Sequence, residues 1–127
     1  MSYEDGQKVT MFGFTVQGDS QDAKQRLVKN PRIFEYEDSK TKAKAKAISI
    51  KVKQIMGFGE TLYLEVCCFG DAFKDAKALK LKAGDQIDFH GRYQIVKGKK
   101  LDFHKVNLND SQQIRIFSGR KAKVNEL

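Results

Sequence analysis

The stretch that decides the fold is residues 45–70, AKAISIKVKQIMGFGETLYLEVCCFG, in which two alternating segments flank a glycine-rich turn. In the first segment Ile48, Ile50 and Val52 alternate with Ser49, Lys51 and Lys53. This spacing predicts a half-buried strand with a basic outer face. The second segment, Glu60–Phe69, alternates in the same way after the turn at Met56–Gly59. One of its faces carries Leu62, Leu64, Val66 and Cys68, and the other carries Tyr63, Glu65, Cys67 and Phe69.

Outward from this hairpin the chain is mostly β in character, with one segment of helical spacing. Further strands are predicted over Val9–Val16, Ile33–Tyr36, Gln86–Ile95 and Lys100–Leu108, with Ile114–Phe117 as a short strand or docked tail. The predicted helix covers Asp71–Lys82, with Asp71 as its cap and Gly84 at its end. Three strands, one helix and two strands predict an all-β, five-stranded OB-fold barrel with one short helix between strands 3 and 4. The pattern alone also fits other small β-barrels or an α+β sheet.

The 127 residues carry a net charge of +8, from 24 Lys and Arg against 16 Asp and Glu. This excess favours a polyanionic partner, because neutralised phosphates release condensed counterions. A membrane surface would call for a basic amphipathic helix or a lipidation signal, and neither is seen. We predict a single OB-fold domain over residues 9–108, between a flexible N-terminal arm (1–8) and a C-terminal tail (109–127).

No constellation of catalytic residues is found, so no enzymatic activity, cofactor or metal is predicted. His90 and His104 are isolated, and no phosphate-binding loop is present. The adjacent Cys67 and Cys68 would point to opposite faces of a strand, which disfavours a disulfide between them. We expect buried, reduced thiols in a cytoplasmic protein. No signal peptide or run of transmembrane length is visible.

Tyr63 and Phe69 give the sharpest signal for function. If the leucine-rich stripe faces the core, both rings lie on the outer surface, where folding gains little from them. Exposed aromatic rings beside basic strands suit base stacking, since every base offers a π-face. The alternative is a strand buried on both sides, for example at a subunit interface. The residues alone leave these two interpretations about equal.

The lysines near these rings have a functional and an ordinary interpretation. Lys51 and Lys53 would line a groove that follows phosphates, or they would form a solvated strand face. The tip Val96–Lys100 holds three lysines around Gly98 and would close over a nucleic acid, although basic hairpin tips are common. The position of Lys51 and Lys53 beside the Tyr63 strand favours the functional interpretation.

Three segments together resemble bacterial and phage single-stranded DNA-binding proteins. Residues 69–92 contain the family's Phe-Gly, amphipathic helix, Lys-Gly-like turn and following strand. Ala45–Val52 is similar to the family's Val-Ala-Asn-Phe-Ser-Leu-Ala-Val strand. Gly13 and Asn30-Pro31 stand where the family has a glycine and then Asp-Pro. The similarity covers roughly Val9 to Leu108 in the same order.

This resemblance implies an OB barrel that assembles into dimers or tetramers and coats single-stranded DNA without sequence preference. It implies that Tyr63 replaces a stacking tryptophan, that Phe69 is the Phe of Phe-Gly, and that Phe58 substitutes for a second tryptophan. The family has a third tryptophan in the loop after the fourth strand, where this chain has only Val96–Lys99. The resemblance therefore implies that this loop contacts DNA through charge alone. The residues expected to contact phosphates are Lys46, Lys51, Lys53, Arg92, Lys97, Lys99 and Lys100.

The chain also departs from the family pattern. It has no tryptophan, and the loop 17–30 is about ten residues longer than expected for the family. Its C-terminus lacks the Gly-rich linker and acidic, Phe-terminated tip with which cellular members recruit replication and repair proteins. This difference predicts a phage or plasmid version, or a protein trimmed at its tail. Two other functions stay open: an RNA-binding OB domain, and an accessory subunit whose outer aromatic residues form a protein interface.

Overall fold

In a computed structural model of the chain, the structure describes residues 3–21 and 24–116. These residues are mostly β, with a single α-helix among them. The strands are β1 (Lys8–Val16), β2 (Ser20–Gln21), β3 (Leu27–Val28), β4 (Arg32–Glu37), β5 (Lys44–Ile55), β6 (Thr61–Cys68), β7 (Gln86–Val96), β8 (Phe103–Leu108) and β9 (Ile114–Ile116). The helix α1 covers Gly70–Leu79, and a 3-10 turn at Gly57–Gly59 joins β5 to β6.

Most of the strands belong to one sheet that closes on itself. Hydrogen bonds link β1, β5, β6, β8 and β7 in that order, and β1 also pairs with β7, which completes a ring. β4 adds to β5 and β9 adds to β7, so the sheet has seven strands within the described residues, against the five predicted. All pairings are antiparallel except that of β6 with β8. A ring of this kind leaves few unpaired strand edges.

The inside of the ring is the hydrophobic core. Leu64, Val66 and Cys68 of β6 are buried there, as the alternation of the sequence predicted. Phe89 of β7 is 2% exposed and its ring lies 5.3 Å from that of Phe14 on β1. Burying large apolar side chains of this kind contributes roughly 1.5–3 kcal/mol each.

The helix differs from its prediction at both ends. Phe69 stands at the N-cap position and makes no capping hydrogen bond through its side chain, so the prediction of Asp71 as the cap was wrong. The helix ends at Lys80, which adopts a left-handed conformation and donates its N–H to the carbonyl of Lys77. Gly84 lies beyond that end, in the turn before β7, and donates its N–H to the carbonyl of Val16.

Segments on both sides of the predicted domain are paired with β7. The amide of Gly6 donates to the carbonyl of Tyr93 at 2.7 Å, and the Tyr93 amide donates to Gln7 at 2.7 Å. In the predicted tail, Ile114 of β9 pairs with Phe89. The rest of that tail, residues 117–127, lies outside the described residues. None of the described residues form a helix that is long and apolar enough to cross a membrane.

Candidate functional site

The registers of four strands place their outward side chains on one continuous surface, here called the outer face. Lys51 of β5 is opposite Glu65 of β6, and Glu65 is beside Lys105 of β8. Lys105 is in turn opposite Gln94 of β7. Residues directly opposed across a ladder point to the same side of the sheet. The outer face therefore crosses β5, β6, β8 and β7 without interruption.

A groove of about 580 Å³ lies on this face, between the body of the sheet and the β7–β8 hairpin. Its lining residues are Gln17, Lys51, Tyr63, Leu64, Glu65, Val96, Phe103, His104 and Lys105. The side chains of Tyr63 and Phe103 are 60% and 66% exposed. Two exposed rings beside Lys51 and Lys105 combine stacking surfaces with positive charge, which suits a single nucleic-acid strand.

Tyr63 has the environment that the sequence predicted. It lies directly opposite Lys53 on the neighbouring strand β5, and it precedes the buried Leu64. Lys53 is half-buried beside the ring and does not line the groove, whereas Lys51 is exposed and does. The ring of Tyr63 is consequently free for contact on the side that faces the groove.

Phe103 was not identified from the sequence. It begins β8 just after the basic tip, opposite Val96 of β7. A Cβ added at Gly98 would lie 3.3 Å from the Phe103 ring and would clash with the backbone of Leu101, so the tip folds closely onto this ring. The sequence had left only electrostatic contact at this loop, and the structure adds an aromatic side chain to it. A signal was present in the sequence: Val106 and Leu108 occupy even positions of the strand and are buried, so Phe103, at an odd position, is expected on the outer side.

The lysines of the tip differ in their surroundings. Lys97 forms an ion pair with Asp102 at 3.2 Å. Lys99 and Lys100 are exposed at the end of the hairpin and do not line the groove. Contact between these two lysines and a bound strand would require the strand to extend past the tip.

Phe69 lies at the other end of the outer face, in an aromatic cluster. Its ring meets those of Phe34 and Tyr36 on β4 edge to face, at 6.4 and 5.2 Å between centroids. Phe69 is half-buried, so less of its ring is available for stacking than the sequence suggested. A second open groove of about 540 Å³ runs past Phe69 and Tyr36. Lys105 lines both grooves, which therefore adjoin.

Lys46 is separated from the other expected phosphate contacts. Its cross-strand partner is Glu35, whereas the neighbouring Ala47 is opposite Phe34 on the outer face. Because successive residues of a strand point to opposite sides, Lys46 faces away from Lys51 and Tyr63. Its interpretation as part of the same binding surface is not supported by the geometry.

Arg92 and Phe58 are also outside the groove. Arg92 belongs to the outer face, opposite Asn107, and its guanidinium donates to the carbonyl of Gly6 at 2.8 Å. Phe58 stands fully exposed in the turn between β5 and β6, with a left-handed φ of 68°. The structure therefore brings Tyr63, Lys51 and the base of the tip together, with Phe103 and Lys105 as additions.

The two cysteines occupy opposite faces of β6, as predicted. Cys68 is in the core, whereas Cys67 is buried on the outer face between longer side chains. Burial raises the pKa of each thiol to about 12. For Cys67 the neighbouring Glu65 carboxylate raises the pKa further, while Lys105 lowers it. Both are free thiols. Within the described part of the chain, no group of three or more potential ligands is placed to hold a metal ion.

Similarity to known proteins is found in structure and not in sequence. No protein-family model matches the chain, and no curated protein matches it. Among solved structures, the second single-stranded DNA-binding protein of Mycobacterium smegmatis superposes with a TM-score of 0.58 at 16% identity, over 91% of this chain and 92% of that one. The chain has the fold of single-stranded DNA-binding proteins.

Two further structures with this fold are similar to the chain. The small single-stranded DNA-binding protein of Streptomyces coelicolor gives a TM-score of 0.53 at 11% identity, over 92% of this chain and 99% of that chain. The single-stranded DNA-binding protein of Plasmodium falciparum, solved in complex with single-stranded DNA, gives a TM-score of 0.51 at 12% identity. The match covers 92% of this chain and 97% of that chain. These similarities confirm the expected fold at the level of a mostly β sheet ring with a single helix, as in an OB-fold single-stranded DNA-binding protein.

Proposed function

We propose that the chain binds single-stranded DNA along the outer face, with Tyr63 and Phe103 stacking on bases. The observation that carries this proposal is the groove in which these two exposed rings stand beside Lys51 and Lys105. A base stacked on an aromatic side chain contributes about 1–3 kcal/mol and needs no particular sequence. A lysine that neutralises a phosphate adds affinity that falls with salt.

The second groove extends the proposed path. A strand leaving Tyr63 and Phe103 would pass Lys105, which borders both grooves, and reach Phe69 and Tyr36. Between the two sets of rings, Ser49 and Cys67 are paired across β5 and β6 and are buried, so they do not project into this path. The path therefore has aromatic rings at both ends and a lysine in the middle.

The biological role that fits this surface is coating of single strands during replication, recombination or repair. We propose an OB-type domain over residues 9–108 that acts in the cytoplasm as a homodimer or homotetramer and catalyses no reaction. Such a protein would bind many sequences, because stacking and phosphate contact depend little on base identity. The structural neighbours support this proposal through their fold, and the Plasmodium protein also through its bound single-stranded DNA.

The test is fluorescence anisotropy with labelled oligothymidine, oligouridine and duplex DNA over a series of salt concentrations. We expect tight binding to oligothymidine that persists at moderate salt, and much weaker binding to the duplex, whose bases are not free to stack. Tighter binding to oligouridine would assign the site to RNA. Weak and equally salt-sensitive binding to all three would reduce the interaction to charge and contradict the proposal.

A further inference from the structure

Glu65 is the one carboxylate among the described residues that line the Tyr63–Phe103 groove. It stands at the centre of the outer face, with Lys51 opposite it on β5 and Lys105 beside it on β8. A negative charge on the proposed path of phosphates weakens their binding. An acidic residue at this place is suited to contact a part of the ligand other than a phosphate.

The Glu65 carboxylate is fixed in position by a buried hydroxyl group. Ser49 Oγ donates to Glu65 Oε2 at 2.6 Å, and Ser49 is only 4% exposed. The ion pairs found among residues 3–21 and 24–116 do not include Glu65, although two lysines flank it. A carboxylate offers about four acceptor sites on its two oxygens. The Cys67 thiol also hydrogen-bonds to this carboxylate, and the remaining acceptor sites are left for a ligand in the groove that Glu65 lines.

Glu65 lies two residues along β6 from Tyr63, and a fixed acceptor next to a stacking ring distinguishes the bases by their hydrogen-bond donors. The Watson–Crick edge of guanine carries two adjacent donors, N1–H and the N2 amino group, which match the two oxygens of a carboxylate. Cytosine and adenine offer one amino group beside an acceptor nitrogen. Thymine offers one N–H between two carbonyl groups, which a carboxylate repels. Guanine is thus the base that this arrangement binds best.

We propose that Glu65 gives the groove a preference for guanine at one position of a bound single strand. This inference rests on the proposed function, and it adds a base contact to a surface that otherwise stacks any base. In this arrangement Tyr63 or Phe103 stacks on the guanine ring, and Glu65 accepts hydrogen bonds from its edge. Lys51 and Lys105 offset the charge of the carboxylate and contact the neighbouring phosphates.

The experiment compares three oligothymidines of equal length: one unsubstituted, one with a single central guanine, and one with inosine at that position. A single guanine avoids the four-stranded structures that guanine runs form, and inosine lacks the N2 amino group. For the wild-type protein we expect guanine to tighten binding about tenfold over thymine, since a good bidentate contact discriminates by that order. Inosine should fall between the two.

Glu65→Gln tests the role of the carboxylate, because glutamine keeps the shape but presents one acceptor oxygen. This variant should lose the guanine preference and bind unsubstituted oligothymidine at least as tightly as the wild type. Glu35→Gln is the matched control, since Glu35 lies on β4 opposite Lys46, on the other side of the sheet. It makes the same change in net charge and should keep the guanine preference.

The outcomes separate this inference from the proposed function. A wild-type protein that binds all three oligomers tightly and equally overturns the guanine preference and leaves single-strand binding intact. A guanine preference that persists in Glu65→Gln also overturns the inference, because a group other than the Glu65 carboxylate must then recognise the base. Failure of the wild-type protein to bind any of the oligomers would overturn the proposed function itself.

Discussion

At the scale of single residues, Lys46 and Lys51 allow a controlled comparison. Both are exposed lysines on β5, but Lys51 lines the groove whereas Lys46 faces the other side of the sheet, opposite Glu35. They carry the same charge and lie five positions apart. Any difference between their alanine variants therefore reports where a bound strand lies, and not the overall charge of the protein.

We predict that Lys51→Ala weakens binding to oligothymidine and that Lys46→Ala has little effect. Loss of one phosphate contact should reduce the slope of log K against log salt by about 0.7 for a single strand. Titrations at four or more salt concentrations give this slope. Equal losses for the two variants would mean that the strand does not follow the outer face.

The cysteines give a second prediction at this scale. Because burial raises the pKa of both thiols to about 12, Cys67 and Cys68 stay protonated in the folded protein at pH 7 to 9. Thiols react as thiolates, so both should resist a disulfide reagent throughout this range until the protein unfolds. In denaturant, both should react at once. Rapid reaction of one thiol in the native protein at pH 8 would contradict its buried environment.

Individual site residues were predictable from the sequence only where strand alternation decides the side of the sheet. The apolar stripe of β6 placed Tyr63 outside, and its 60% exposure agrees. Phe103 was missed because its importance depends on the fold of the tip over its ring. Lys46 was grouped with Lys51 through closeness in sequence, although the two differ by an odd number of positions and so point to opposite sides of one strand.

At the scale of secondary-structure elements, β7 pairs with three other strands of the sheet. It pairs with β1 along one edge, and with β8 and then β9 along the other. Gly91 of β7 lies close against β8. A Cβ there would clash with the carbonyl of Asn107 and would lie within 2.9 Å of the side chains of Val106 and Leu108. The nearest of these atoms is a backbone oxygen, and moving it would disturb the pairing of β7 with β8.

We predict that Gly91→Ala destabilises the protein by about 1–3 kcal/mol, the usual cost of overpacking, or prevents its folding. Gly57→Ala is the control, because a Cβ at Gly57 meets nothing within 4 Å and its φ is not left-handed. That variant should unfold within about 0.5 kcal/mol of the wild type in urea. Similar stabilities for the two variants would contradict the close packing of β7 on β8.

The elements themselves were largely predictable, and their ends were less so. Period-two alternation placed β5, β6 and β7, and a run of β-branched and aromatic residues placed β1, within a few residues of their observed bounds. The helix was predicted to run on to Lys82, but it ends where Lys80 takes a left-handed conformation. A lysine in that conformation gives no sequence signal, whereas a glycine such as Gly84 does.

At the scale of the whole molecule, closure of the sheet creates the proposed binding surface. The parallel pairing of β6 with β8 brings Glu65 beside Lys105, forty positions later in the chain. The pairing of β1 with β7 closes the ring and fixes the curvature of the outer face. Local alternation carries no information about such long-range pairings, so the sequence predicted them only through its resemblance to a family. The groove, with Phe103 in it, follows from these pairings.

The central claim is that Tyr63 and Phe103 hold a single strand by stacking, and the double variant Tyr63→Ala/Phe103→Ala tests it most directly. Both rings are exposed, so the variant should fold as the wild type does, which circular dichroism and urea unfolding check. Phe12→Ala, which removes a 54% exposed ring outside the groove, is the control.

The measurement is the affinity of these proteins for labelled oligothymidine at moderate salt. Loss of two stacked bases should lower the affinity of the double variant at least about thirtyfold, at about 1–3 kcal/mol per base, and Phe12→Ala should bind as the wild type does. A folded double variant that still binds within twofold of the wild type would contradict stacking in this groove.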